Sequence, residues 1–164
     1  MSMSALVVWI HVLFVFGLVA GIIGRDRCYQ RAARTEDLKK LEWLIEMGGS
    51  FELGMVRPGT FAVLVAGLIA AWARGWPILG FLQGGTVNWV LVSLLIYLSI
   101  IPVIVFVFIP RGKVFRLALD DAKVRGQVTP ELRAALADPA VAAARAYELI
   151  IIAALAGLMV TRSF

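Results

Sequence analysis

The chain has 164 residues, 61% of them hydrophobic against 16% charged, with a formal net charge of +5. Soluble domains run at roughly 45–50% apolar, so the surplus must face lipid or other apolar helices, which excludes an ordinary soluble domain. One four-helix membrane unit fits this length, and the single cysteine, Cys28, excludes an internal disulfide and any multi-cysteine metal site.

Four uncharged apolar stretches cover residues 3–24, 60–73, 89–109 and 149–161. A helix rises ~1.5 Å per residue, so ~20 residues cross the ~30 Å hydrocarbon layer. The second and fourth stretches reach that length only by taking in 55–59 and 140–148, which draws Arg57, Arg145 and Glu148 toward the membrane. The expected fold is an all-α integral membrane protein, a four-transmembrane-helix bundle forming a single domain over 1–164. Its spans fall at about 3–24, 55–74, 88–109 and 140–162, and connections 25–54 and 110–139 carry short amphipathic helices. The first stretch lacks a basic n-region and a small-x-small cleavage site, so it is expected to stay as helix one.

In chain order, Ser2 or Ser4 is a candidate cap for helix one. Gly17, Gly21 and Gly24 then mark a face that a neighbouring helix can approach closely. Thr35-Glu36-Asp37-Leu38 opens an amphipathic stretch with Leu38, Leu41, Leu44, Ile45 and Phe51 on one face and Trp43 placed for the interface. The glycine-rich run 47–54 predicts a bend, and Pro58 a hard start or kink of helix two. Trp72 and Trp76 read as aromatic-belt residues. Gly75-Trp76-Pro77 and Gly84-Gly85 flank a short loop before Trp89 starts helix three. Pro102 predicts a kink in that helix, Pro110-Arg111-Gly112 its end, and 113–125 a short amphipathic helix. Thr129-Pro130-Glu131 and Asp138-Pro139 each place a capping residue before a first-turn proline, predicting a surface helix over 130–137 and the start of helix four.

The basic residues are unevenly distributed. Seven (Arg25, Arg27, Arg31, Arg34, Lys39, Lys40, Arg57) follow helix one, and seven (Arg111, Lys113, Arg116, Lys123, Arg125, Arg133, Arg145) lie between helices three and four. The remaining connection holds only Arg74 and the C-terminus only Arg162. This pattern places both long connections in the cytoplasm and both termini outside. The positive charge then sets orientation and meets anionic lipid at the cytoplasmic face, rather than binding nucleic acid.

Two groups could carry chemistry. His11, the sole histidine, sits about two turns into helix one. A buried neutral imidazole can bond a neighbouring backbone, ligate haem iron, or contact a proton or substrate, and all three stay open. Glu52, Arg57, Arg145 and Glu148 cluster toward the cytoplasmic edge. Arg145 and Glu148, three apart, can pair on one helix face, or Arg57 can reach Glu148 across helices two and four. The cluster is either an ion-pair register between helices or a proton path toward His11. No residue set supplies catalytic hydrolysis, phosphate binding or a metal site.

Several motifs carry a resemblance: Trp9-Ile10-His11, Arg57-Pro58-Gly59, Trp89 with Ile109-Pro110-Arg111, Thr129-Pro130-Glu131-Leu132, and Leu158-Met159-Val160. With them the chain resembles a bacterial family of four-helix predicted integral membrane proteins, a domain of unknown function, over nearly its whole length. That likeness implies a membrane fold and no established activity. More distantly it is similar to the copper-resistance-D and membrane protoporphyrinogen oxidase families, whose first helix carries a histidine and, about three turns on, a glycine, as His11 and Gly21 do. The likeness implies His11 as an axial ligand of haem b, although the helix-three lysine and further histidines of that pattern are missing here. The functional expectation is a structural or accessory subunit in a membrane assembly or homo-oligomer, and not an enzyme. The alternatives are a b-type haem-binding redox protein using His11 and a small proton-coupled carrier using His11 with the Glu52, Arg57 and Glu148 group.

Overall fold

The computed structural model describes residues 3–83 and 88–161, with backbone alone at 4, 81 and 82. The capping role of Ser2 or Ser4, the Gly84-Gly85 flank of the short loop and Arg162 therefore lie outside the described residues or side chains.

Every described element is helical. α1 (Met3–Ala32) turns tightly into α2 (Leu38–Phe51), which a π-turn at Glu52–Val56 joins directly to α3 (Arg57–Ala73). After a 3₁₀ turn at Gly80–Gln83, α4 (Trp89–Leu98), α5 (Ile100–Val103), a second π-turn at Ile104–Phe108 and α6 (Ile109–Arg125) form one column. α7 (Pro130–Leu136) and α8 (Pro139–Thr161) complete the chain. Four columns, Ala5–Ala32, Leu38–Ala73, Trp89–Arg125 and Pro130–Thr161, are long and apolar enough to cross a membrane. The chain is thus an all-α protein with four candidate spans.

The columns outrun the spans read from hydropathy. The second and third hold 36 and 37 residues, or ~55 Å against a ~30 Å hydrocarbon layer. Helix one continues past Gly24 to Ala32, and Pro110 does not end helix three. Hydropathy loses these extensions because charged residues cover them, whereas helix hydrogen bonding is indifferent to that change. A proline lacks a donor and crowds the carbonyl four residues back, which normally breaks a helix. Here each π-turn ends just before such a proline, Pro58 or Pro110, and closes with a bond five residues long, from Arg57 N–H to the Glu52 carbonyl and from Ile109 N–H to the Ile104 carbonyl. The widened turn relieves the crowding, so both columns run on. Pro58 therefore neither starts nor breaks helix two. The interruption in helix three sits at Ser99, between α4 and α5, with Pro102 inside α5.

The caps follow the sequence. Thr129 Oγ1 accepts from Leu132 N–H at 3.2 Å, and Asp138 Oδ1 accepts from Ala140 N–H at 2.8 Å. Asp37 caps α2 by accepting from Lys39 and Lys40 N–H at 2.9 and 3.2 Å. Gly126, at φ 68°, takes the left-handed conformation that ends α6.

Close helix contact depends on two glycines of α1. A Cβ on Gly21 would lie 2.7 Å from Met55 Cβ, and one on Gly24 would lie 2.8 Å from the Phe51 ring. Gly17, the third of the series, meets nothing within 4 Å and takes no part in that contact. Side-chain packing divides into two cores. Leu18, Ile22, Val56 and Val63 pack inside the bundle. Beyond it, Ala32, Leu41, Leu44, Ile45, Ala118, Leu119, Ala122 and Leu132 bind α1, α2, α6 and α7 into an apolar cap at the basic end. The amphipathic face read over Leu41, Leu44 and Ile45 is buried in this cap, and Trp43 is exposed.

Candidate functional site

Between the two cores lies a layer of charge. Arg25, on α1, is its centre: its side chain is 7% exposed and touches three carboxylates. Nε meets Asp26 Oδ1 at 3.0 Å, Nη1 meets Glu52 Oε2 at 3.0 Å, and Nη2 meets Glu148 Oε2 at 2.5 Å. Arg57 Nε reaches Glu52 Oε1 at 3.2 Å, and Arg145 Nε approaches Asp26 Oδ1 at 3.6 Å. The Arg145 guanidinium also covers the Tyr29 ring at 4.4 Å from its centroid.

All four residues expected in an intramembrane ion-pair group, Glu52, Arg57, Arg145 and Glu148, therefore do meet here, with different pairings. Glu148 binds Arg25 rather than Arg57, and Arg145 pairs with Asp26. The π-turn explains the Arg57–Glu52 pair. In an α-helix residues five apart point about 140° away from each other, whereas a π-turn brings them onto one face. Sequence reading missed Arg25, which it counted only among the basic residues following helix one, and did not weigh Asp26 at all. Three guanidinium groups stand against three carboxylates, so the layer is neutral within itself. Such an array holds α1, the π-turn and α8 in one register, and burial makes each missing member costly.

Toward the other end, where α1 and α4 begin and α3 and α8 end, a cavity of about 300 Å³ opens between these four helices. His11 lines it from α1, Ser93 and Tyr97 from α4, Gly67 from α3 and Met159 from α8. His11 is placed some 14 residues from Arg25 along α1, or ~21 Å. It is therefore remote from the charge layer and shares no hydrogen bond with it. The imidazole lies against Gly67, where a Cβ would come within 3.0 Å of Cε1. The Val63 carbonyl is near enough to act on the ring, yet neither His11 nitrogen makes a well-formed hydrogen bond. Ser93 Oγ is likewise buried without a partner. Other internal hydroxyls are satisfied: Tyr97 donates to the Thr60 carbonyl, and Ser99 Oγ bonds Tyr147 Oη at 2.6 Å. At the loop end Trp76 and Trp89 pack edge to face, 4.9 Å between centroids.

The distant family likeness implies haem b, and this lining is where His11 would hold it. The open His11 nitrogens would supply an axial ligand and Met159 a thioether on the same cavity. Among the described residues no basic side chain lines the cavity to meet the two haem carboxylates, however, and charge without a partner is costly in apolar surroundings. The volume also falls at the floor of small-molecule sites, which span roughly 300–1,000 Å³, and is tight for a tetrapyrrole. The residues present do not fit haem. Among the described residues no group of three or more His, Cys, Asp or Glu side chains is arranged to hold a metal ion.

Four apolar helical columns, one self-neutralising charge layer and the absence of strands among the described residues define an all-α integral membrane protein. Residues 5–163 match the family described as Predicted integral membrane protein (DUF2269), and the chain belongs to that family. Comparison with curated proteins and with solved structures gave no match.

Proposed function

We propose that this protein is a structural or accessory subunit of a membrane assembly, with its basic end and apolar cap on the cytoplasmic side of a bacterial inner membrane. The observation that carries this reading is an apolar ridge on α6. Val114, Leu117 and Val124 are 58%, 72% and 87% exposed, and their spacing of three and seven puts them on one helical face. They alternate with Arg111, Lys113, Arg116, Asp120, Asp121, Lys123 and Arg125, so this half of the column stands outside the hydrocarbon, where a bare apolar ridge calls for a partner helix. Anionic lipid would meet the surrounding arginines and lysines. A carrier reading has less support, since every carboxylate of the charge layer is already paired with a guanidinium.

A cysteine at Leu117 tests the reading, because the native Cys28 is buried. Crosslinking in intact membranes is expected to capture this chain with a second polypeptide, its own copy or another subunit, and Leu117→Asp in the full chain should abolish copurification of that partner. A lone 17.9 kDa species after gentle extraction, with no crosslink, would refute it.

A further inference from the structure

We propose that the cavity beside His11 is a binding site for a neutral, lipid-soluble ring compound bearing carbonyl or hydroxyl oxygens, the chemistry of a quinone or quinol head group. His11 is 7% and Ser93 9% exposed, and both line this one cavity from different helices. Folded proteins leave few buried polar groups unpaired, and each exception asks for a reason. Here two exceptions share one space, although every other internal hydroxyl named above has found a partner. A ligand that completes both explains them together.

The chemistry of the lining narrows the class. Neutral imidazole offers one donor and one acceptor, and a hydroxyl offers either. Both therefore suit an oxygen that accepts, donates, or alternates between the two, as quinone and quinol oxygens do. Among the described residues no charged side chain lines the cavity, so a charged ligand would find no counter-charge there. The remaining wall is aliphatic and aromatic, including Trp76, Trp89 and Tyr97, and suits the face of a ring. About 300 Å³ holds a single substituted ring and is too apolar to be filled by bulk water. Gly67 keeps the floor low enough for the imidazole to stand in place, since a Cβ there would press on the ring at 3.0 Å.

Decylubiquinone serves as the probe, titrated into the detergent-solubilised full chain while tryptophan emission and Tm are followed. Wild type is expected to show saturable quenching and a rise in Tm. In His11→Leu and in Ser93→Ala the midpoint should move at least tenfold higher, while the ligand-free Tm stays equal to wild type or rises. That combination separates a binding role from a structural one, because a packing residue would lower the ligand-free Tm. Ser93→Ala removes one atom and keeps the test readable if the histidine variant misfolds. Absence of saturable quenching in wild type, an unchanged midpoint in both variants, or a Soret band from copurified haem would each overturn the proposal.

Discussion

Replacing Arg25 with methionine removes the centre of the charge layer and leaves Asp26, Glu52 and Glu148 facing only Arg57 and Arg145. The side chains of Asp26 and Glu148 are 12% and 11% exposed, so they cannot recover their hydration by moving outward. Breaking a buried pair by deleting one partner costs about 3–5 kcal/mol. For a chain of this size each kcal/mol lowers Tm by roughly 2–4 °C, which gives a drop on the order of 10 °C. Arg57→Met is the internal comparison: its side chain is 68% exposed, and an exposed pair contributes only about 0–1 kcal/mol. Thermal unfolding in mild detergent, followed by circular dichroism, should therefore rank Arg25→Met far below Arg57→Met. The double variant Arg25→Met/Glu148→Gln removes charge from both sides and should be more stable than the sum of the two single losses by about 1 kcal/mol or more. Equal Tm values for Arg25→Met and Arg57→Met, or strict additivity in the double variant, would refute the buried-network reasoning.

Gly21→Leu should destabilise by about 1–3 kcal/mol through overpacking against Met55, while Gly17→Ala should leave Tm unchanged or slightly raised; paired melts in the same detergent check both. Thr129→Ala should cost about 1–2 kcal/mol by uncapping α7 at a buried position, read as faster proteolysis of the 126–137 region before the spans are cut. Impermeant maleimide should label a cysteine at Lys123 only in permeabilised cells and one at Arg74 in intact cells; the reverse pattern would invert the proposed orientation.

The spans were legible because uninterrupted apolar runs have one physical meaning in a chain this hydrophobic. The caps at Thr129 and Asp138 were legible for a comparable reason, since a short side chain before a first-turn proline satisfies helix ends locally. Column lengths were not, because polarity changes at the membrane surface and hydrogen bonding does not. The π-turns left no hydropathy signal; their trace is a proline two residues into what would otherwise be a helix interior. In the charge layer, Arg57, Arg145 and Glu148 stood out because spanning length dragged them inward, and Glu52 because it lies just before the second span. Arg25 and Asp26 sat at the edge of a charged run and looked like flanking residues. Their burial comes from the glycine contacts of Gly21 and Gly24, which pull α1 against the second column so closely that lipid and water are kept from the layer. His11 was visible as a lone imidazole, whereas its unpaired companion Ser93 is one hydroxyl in an apolar run and gave no signal of its own.

The widened turn at Ile104–Phe108 inserts one extra residue into the third column, and a single helical position corresponds to a rotation of about 100°. Everything downstream is therefore turned relative to the lipid-facing stripe above, which is how Val114, Leu117 and Val124 come to look outward while Ala118 and Ala122 seal the cap. Deleting one residue within that segment would let ordinary winding resume and swing the lower shaft by about 100°, carrying the Val114, Leu117 and Val124 face off its outward position. The bulge thus works as an indexing joint, fixing which side of the protruding shaft is offered to a neighbour.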